Sequence, residues 1–186
     1  MNLKELIESR RAYRSFDQTE ITKELVDRLA GAVQLSPSCF NNQPWRYVFV
    51  YEKEALERLK KTLSHGNEWA LNSSMIIAVC GKKELDCVMK DGREYYLFDT
   101  GMATAFLILT ATELGLVAHP IAGYDPQQAK AALDVPADMT VNVLIIVGKH
   151  SKDINPVLKE AQVTAEKERP ARLALGKFAF HNKYGE

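Results

Sequence analysis

At 186 residues the chain suits one domain of ordinary size, able to bury roughly 70% of its unfolded surface without a disulfide or metal staple. Apolar residues make up 46% and charged residues 26%, the balance of a soluble globular protein. Lysine plus arginine equals aspartate plus glutamate at 24 each, which argues against nucleic acid or an anionic membrane as the main partner. Cys39, Cys80 and Cys87 are odd in number and lack a framework spacing, and Met1–Glu8 has no secretory pattern. Reduced thiols in a cytoplasmic protein are the expectation. The longest apolar run, residues 102–111, is interrupted by Thr104 and too short to span a bilayer.

In chain order, Leu3, Leu6 and Ile7 mark a short amphipathic helix. Thr22 is a good N-cap for a second helix, with Leu25, Val26, Leu29, Ala32 and Val33 on one face. Pro37 forces that helix to stop near Leu35. The aromatic and β-branched run Trp45–Tyr51 reads as a strand, and residues 52–63 return to helical period. Ser74–Cys80 reads as a strand buried on both faces. A helix of about 30 Å is expected from Glu94 to Leu114, apolar nearly all round and therefore buried, with Gly115 at its C′ position. Val117–Ala118 suggests a short strand. Asp125, Pro126 and Gln128 supply a cap, an N1 proline and a capping-box partner for the next helix. Thr140–Gly148 is a third clear strand. Residues 151–186 are polar and lack period until Phe178 and Phe180, so they read as an arm that is loose or packed on something else.

The chemistry concentrates near the start. Arg10, Arg11 and Arg14 place three planar, permanently charged groups within five residues, among the hydroxyls of Ser9, Tyr13 and Ser15. Two or three such groups converging can anchor a phosphate dianion; the alternative is a solvated basic turn. No glycine-rich dinucleotide fingerprint, P-loop or nucleophile elbow is present, and the four histidines are scattered away from cysteines. A phosphorylated ligand would have to be held by the arginines. A second unusual stretch, residues 36–45, is a polar loop stiffened by Pro37 and Pro44, with Asn41, Asn42 and Gln43 able to meet the edge of a heterocycle.

Ser9-Arg10-Arg11 with Arg14-Ser15-Phe16, then Ser36-Pro37-Ser38, Asn41 and Gln43-Pro44-Trp45, resembles the opening of the nitroreductase family of FMN-dependent oxidoreductases. Downstream, residues 98–103 with 113–116 resemble the family's central helix, and residues 120–125 its flavin-edge loop. Val135-Pro136 and residues 145–149 resemble its last core strand, and Arg169 and Arg172 its late basic position. The resemblance covers nearly the whole chain, in order.

It implies an α+β sandwich, a mixed, mostly antiparallel sheet flanked by helices, assembled as an intertwined homodimer with one FMN in each interface cleft. Residues 1–150 would form the FMN-binding core and residues 151–186 an arm packing on the partner subunit. By position, Arg10, Arg11, Arg14 and Arg172 would contact the phosphate and ribityl chain. Pro37, Ser38 and Asn41 would come from the other subunit. Asn67 would meet the pyrimidine end of the flavin, and Ala122 and Gly123 would lie against N5; Lys149 is a lesser candidate. Cys39 stands where a small or hydroxyl residue is common and reads as an inert thiol. The implied activity is electron transfer from NAD(P)H to nitroaromatics, quinones or similar small acceptors, without nucleic acid or membrane. The alternatives are a specialised reductase, dehalogenase or dehydrogenase of the same fold, or an FMN-binding protein without turnover.

Overall fold

The computed structural model describes residues 1–185. Its elements in chain order are α1 (Leu3–Ser9), β1 (Phe16–Asp17), α2 (Lys23–Gln34), β2 (Trp45–Val50), α3 (Lys53–Lys60), β3 (Met75–Gly81), α4 (Tyr95–Glu113), β4 (Leu116–Ile121), α5 (Pro126–Ala132), β5 (Thr140–His150) and α6 (Glu160–Lys167). The long β5 is central. It pairs β3 along residues 140–147, β4 along residues 144–149, and β1 at Lys149 and His150, while β2 pairs the far side of β3. Every described pairing is antiparallel.

The period-2 rule splits the sheet's residues into two cores. Ile76, Ala78 and Cys80 of β3 with Leu144 and Ile146 of β5 face Leu56 and Leu59 of α3, Trp69 and Ala129 of α5. Met75, Ile77 and Val79 with Ile145 and Val147 face Leu29 and Val33 of α2 and Ala103, Leu107 and Ala111 of α4. This is the α+β sandwich that the resemblance implies, with an antiparallel rather than mixed sheet among the described strands, and it explains why β3 is apolar without alternation. Thr22 caps α2 by accepting from Leu25 N, and Asp125 caps α5 by accepting from Gln127 N and Gln128 N.

Four features differ from the sequence reading. Helix α4 is not buried all round: Leu97, Phe98 and Phe106 are exposed, because α2 and the sheet cover only one of its faces. Strand β4 extends over six residues rather than two and accommodates Pro120, which an edge strand tolerates. The arm contains α6, a helix with no core of its own. Finally, Cys39 and Cys87, 48 residues apart, form a disulfide rather than free thiols, with Cα atoms 6.3 Å apart; only Cys80 remains a free, buried cysteine. The fold brings the turn at Cys39–Asn41 against the loop after Leu85, a meeting that residue spacing does not announce. No helix among the described residues is long and apolar enough to cross a membrane.

Candidate functional site

The segment from Arg10 to Ser15 joins α1 to β1 and is clamped along its length. Tyr13 stacks on His150 with ring centroids 3.6 Å apart, and its carbonyl accepts from His119 Nδ1 at 3.0 Å. Arg14 N donates to Glu166 Oε1 at 2.6 Å. Ser15 O accepts from Ser151 N, and Ser15 Oγ from Asn155 N, each at 3.0 Å. The backbone is therefore pinned by groups more than 100 residues away in the chain, without the guanidinium groups of Arg10 and Arg14 taking part in the clamp.

Those side chains converge. Arg10, Arg11, Arg14, Arg169 and Arg172 line one cavity of about 140 Å³. Three of them also bond to its walls: Arg11 Nη2 donates to Ala165 O at 2.8 Å and lies over the Tyr13 ring, Arg169 Nη2 donates to Arg10 O at 2.7 Å, and Arg172 Nη1 donates to Pro170 O at 3.0 Å. Arg10 and Arg14 donate to no protein acceptor through their guanidinium groups, and none of the five forms an ion pair among the described residues. Burial, followed by the charges of Arg169, Arg172 and Arg11, lowers the pKa of Arg10. Such crowding of like charges is unfavourable until an anion enters.

Next to the arginines stands an aromatic wall. Arg14 lies 5.7 Å from the Trp69 ring centre, and Trp69 stacks on His119 at 4.7 Å. His119 carries its proton on Nδ1, since the Tyr13 carbonyl can only accept. Burial first, with the charges of Arg14 and Arg10 adding, pushes its pKa down to about 4. The native imidazole therefore stays neutral while the unfolded one protonates near pH 6.5. Stability is expected to fall as pH drops from about 6.5 to about 4, by up to about 3 kcal/mol from this group, and His119→Gln should remove that portion. Urea unfolding at a series of pH values checks it; an unchanged acid limb in the variant would contradict the assignment.

Beyond Trp69 the loop after β4 docks on the turn before the tryptophan. Gly123 O accepts from Asn67 Nδ2 at 2.8 Å and from Ser64 N at 3.0 Å. A Cβ at Gly123 would stand 2.2 Å from Asn67 Nδ2, so only glycine permits this approach. Gly123→Ala is expected to displace the Asn67 amide at a cost of about 1 kcal/mol. Asn67→Ala should cost about the same, and the double variant no more than either. A double-mutant cycle by urea unfolding reads this, and additive costs would show the pair to be independent.

The structure thus gathers Arg10, Arg11, Arg14 and Arg172 around one cavity and joins Asn67 to Gly123, with Ala122 exposed beside them. Pro37, Ser38 and Asn41 do not line that cavity in their own chain. Their loop is held by Ser38 Oγ accepting from Gln43 N at 3.0 Å and by Cys39 N donating to Asp99 Oδ2 at 2.7 Å. Phe40, Asn41 and Gln43 all adopt positive φ, at 47°, 59° and 50°, and the Phe40 side chain is 92% exposed. A bulky residue held so is strained, as at sites that present themselves to a ligand or partner. Sequence reading missed His119, Trp69 and Glu166; the one local signal was a histidine inside the apolar run of β4.

The sequence model of the nitroreductase family matches residues 7–73. A protein of Archaeoglobus fulgidus provisionally named an NADH dehydrogenase/NAD(P)H nitroreductase is 27% identical over 154 residues, covering 80% of this chain and 86% of its own. A solved structure described as the oxidoreductase containing FMN superposes with a TM-score of 0.83 at 26% identity, covering 99% of this chain and 93% of its own. A nitroreductase family protein of Clostridium difficile 630 shares the fold, with a TM-score of 0.80 at 23% identity over 98% and 99% of the two chains.

Proposed function

From these likenesses we propose that this chain is a member of the nitroreductase family and an FMN-dependent oxidoreductase passing electrons from NAD(P)H to a nitroaromatic, quinone or similarly small acceptor. The observation that carries the reading is the set of five arginines, none in an ion pair among the described residues, around one small cavity, in a chain without a glycine-rich phosphate loop.

The residues present fit FMN. The guanidinium donors of Arg10 and Arg14, without protein acceptors among the described residues, suit a phosphate dianion, and the Gly123–Asn67 approach leaves the Gly123 backbone and the Asn67 side-chain amide at the expected ring edge. Arg10, Arg14 and Arg172 would hold the phosphate, while Arg11 and Arg169 keep the cavity's walls in place. Asn67 would orient the pyrimidine edge, and Ala122 and Gly123 the region of N5. Bound FMN would supply hydride acceptance and donation, which no side chain here provides. Neutral His119 would hold Tyr13, and through it the arginine segment, without adding a charge to the cationic pocket.

Pro37, Ser38 and Asn41 would complete the cleft of a second subunit. The exposed, positive-φ Phe40 and the exposed apolar residues of α4 support such an assembly. In it, residues 1–150 form the core and residues 151–186 the arm, whose Leu173, Leu175 and Phe178 are exposed in the single chain. A cleft of this kind offers one space for two substrates, so NAD(P)H must leave before the acceptor enters. Steady-state rates against both substrates should then give parallel double-reciprocal lines, with each substrate inhibiting competitively at high concentration. Intersecting lines would refute the shared space. A purified chain that retains no flavin, or whose flavin absorbance NADH and NADPH leave unchanged, would refute the enzyme.

A further inference from the structure

Glu166 accepts from Arg14 N, a bond that a neutral oxygen could make as well. Its side chain is nevertheless a carboxylate, and only 1% exposed. Burying a charge costs far more than burying an amide unless other charges offset it. The tether to Arg14 N therefore accounts for an oxygen at this position and not for the charge.

The offsetting charges stand beside it. Glu166 follows Ala165, which lines the arginine cavity, while among the described residues no carboxylate lines that cavity itself. Arg11 Nη2 reaches the carbonyls of both Ala165 and Glu166, at 2.8 Å and 3.5 Å. Arg14 responds to the carboxylate directly: burial, the larger effect, lowers its pKa, and Glu166 raises it. On the other side Glu166 Oε2 stands 3.7 Å from Nε2 of His150, the ring that stacks on Tyr13. The buried charge thus sits in the wall between α6 and the arginine segment.

We propose that Glu166 is the internal counter-charge of the arginine cavity: its carboxylate keeps the guanidinium cluster assembled while the cavity is empty, and it opposes the incoming phosphate, so that it sets the preference for phosphorylated over unphosphorylated flavin. It is a positioning residue, acting through Arg14 and its neighbours rather than by touching the ligand. In the empty protein five like charges repel, and one negative charge in the wall lowers that repulsion. A cavity already assembled need not be ordered by its ligand. Once a phosphate dianion is present, the same carboxylate repels it, whereas the uncharged riboflavin is insensitive to it. For the identity of the ligand the inference rests on the flavin reading; for the stability of the empty cavity it does not.

Glu166→Gln keeps the shape and an oxygen for Arg14 N and removes only the charge. The full chain, stripped of flavin, is titrated with FMN and with riboflavin. Glu166→Gln should raise the ratio of FMN to riboflavin affinity by about tenfold, a gain that lost packing does not produce. Glu160→Gln removes an exposed carboxylate from the same helix and should leave the ratio within about twofold. Melting without flavin gives the second readout. At low salt Glu166→Gln should melt below the unaltered chain, and sodium phosphate should restore it more than sodium chloride of equal ionic strength; Arg10→Ala in the same chain should restore it too. A Glu166→Gln variant that folds only with phosphate present supports the proposal, and one that neither phosphate nor Arg10→Ala rescues overturns it. A ratio that does not rise in Glu166→Gln, or that rises equally in Glu160→Gln, would overturn the opposition to phosphate. Low-salt melting of Glu166→Gln at or above that of the unaltered chain would overturn the counter-charge. If the unaltered chain binds neither flavin, the flavin reading fails, and the melting comparison judges the counter-charge by itself.

Discussion

Arg10→Ala and Arg14→Ala are each expected to weaken FMN by about ten- to hundredfold while leaving riboflavin affinity nearly unchanged. A hydrogen bond to a charged group contributes about 1.5–3 kcal/mol, which converts to that range. These two arginines are chosen because, among the described residues, their guanidinium groups hydrogen-bond to no protein acceptor. Arg11 and Arg169 hold the carbonyls of Ala165 and Arg10, so alanine there would loosen α6 and the α1–β1 segment and confuse binding with folding. Removing one cation from the crowded cavity also relieves repulsion in the empty protein, so Arg10→Ala should lose affinity without losing stability. Equilibrium titration of stripped protein with each flavin reads the difference. Equal affinity of the unaltered chain for FMN and riboflavin would remove the phosphate from the cavity.

A chain ended after Arg172 is expected to sediment as a monomer and to retain FMN more than about tenfold less well than the full chain. The truncation spares the whole arginine cavity but removes Leu173 and Leu175, which are 70% and 74% exposed, and Phe178. In the single chain these side chains are exposed, and α4 likewise leaves Leu97, Phe98 and Phe106 exposed. The proposed homodimer, if obligate, would bury more than about 2,000 Å², in large part such apolar surface. Loss of FMN together with the dimer would follow from a cleft shared with the partner's Pro37–Asn41 loop. Sedimentation velocity and flavin content of the truncated chain decide the matter: a dimer that keeps its flavin would show that the arm serves neither purpose.

Local chemistry was enough for a large part of this molecule. The doubly apolar run Met75–Gly81 could only be a strand covered on both sides, Thr22 and Asp125 announced the starts of α2 and α5, and Pro37 ended the first of these. The arginine cluster was equally legible, because its charges lie within five residues of one another. What lies far apart in the chain has no such signature. Arg172 was expected at the phosphate from the family resemblance alone; it and Arg169 reach the cavity, and Glu166 reaches Arg14 N, because α6 packs back on the α1–β1 segment, and α6 lacks an apolar period by which to be recognised. His119 became part of the site through the register of β4 on β5 and the stacking of Trp69. The Cys39–Cys87 bond, expected as free thiols, and the bare face of α4, expected to be buried, were likewise decided by which surfaces the fold brings together. Periodicity and capping are properties of neighbouring residues; the closing of long loops is a property of the whole chain, settled by the two cores on either side of the sheet.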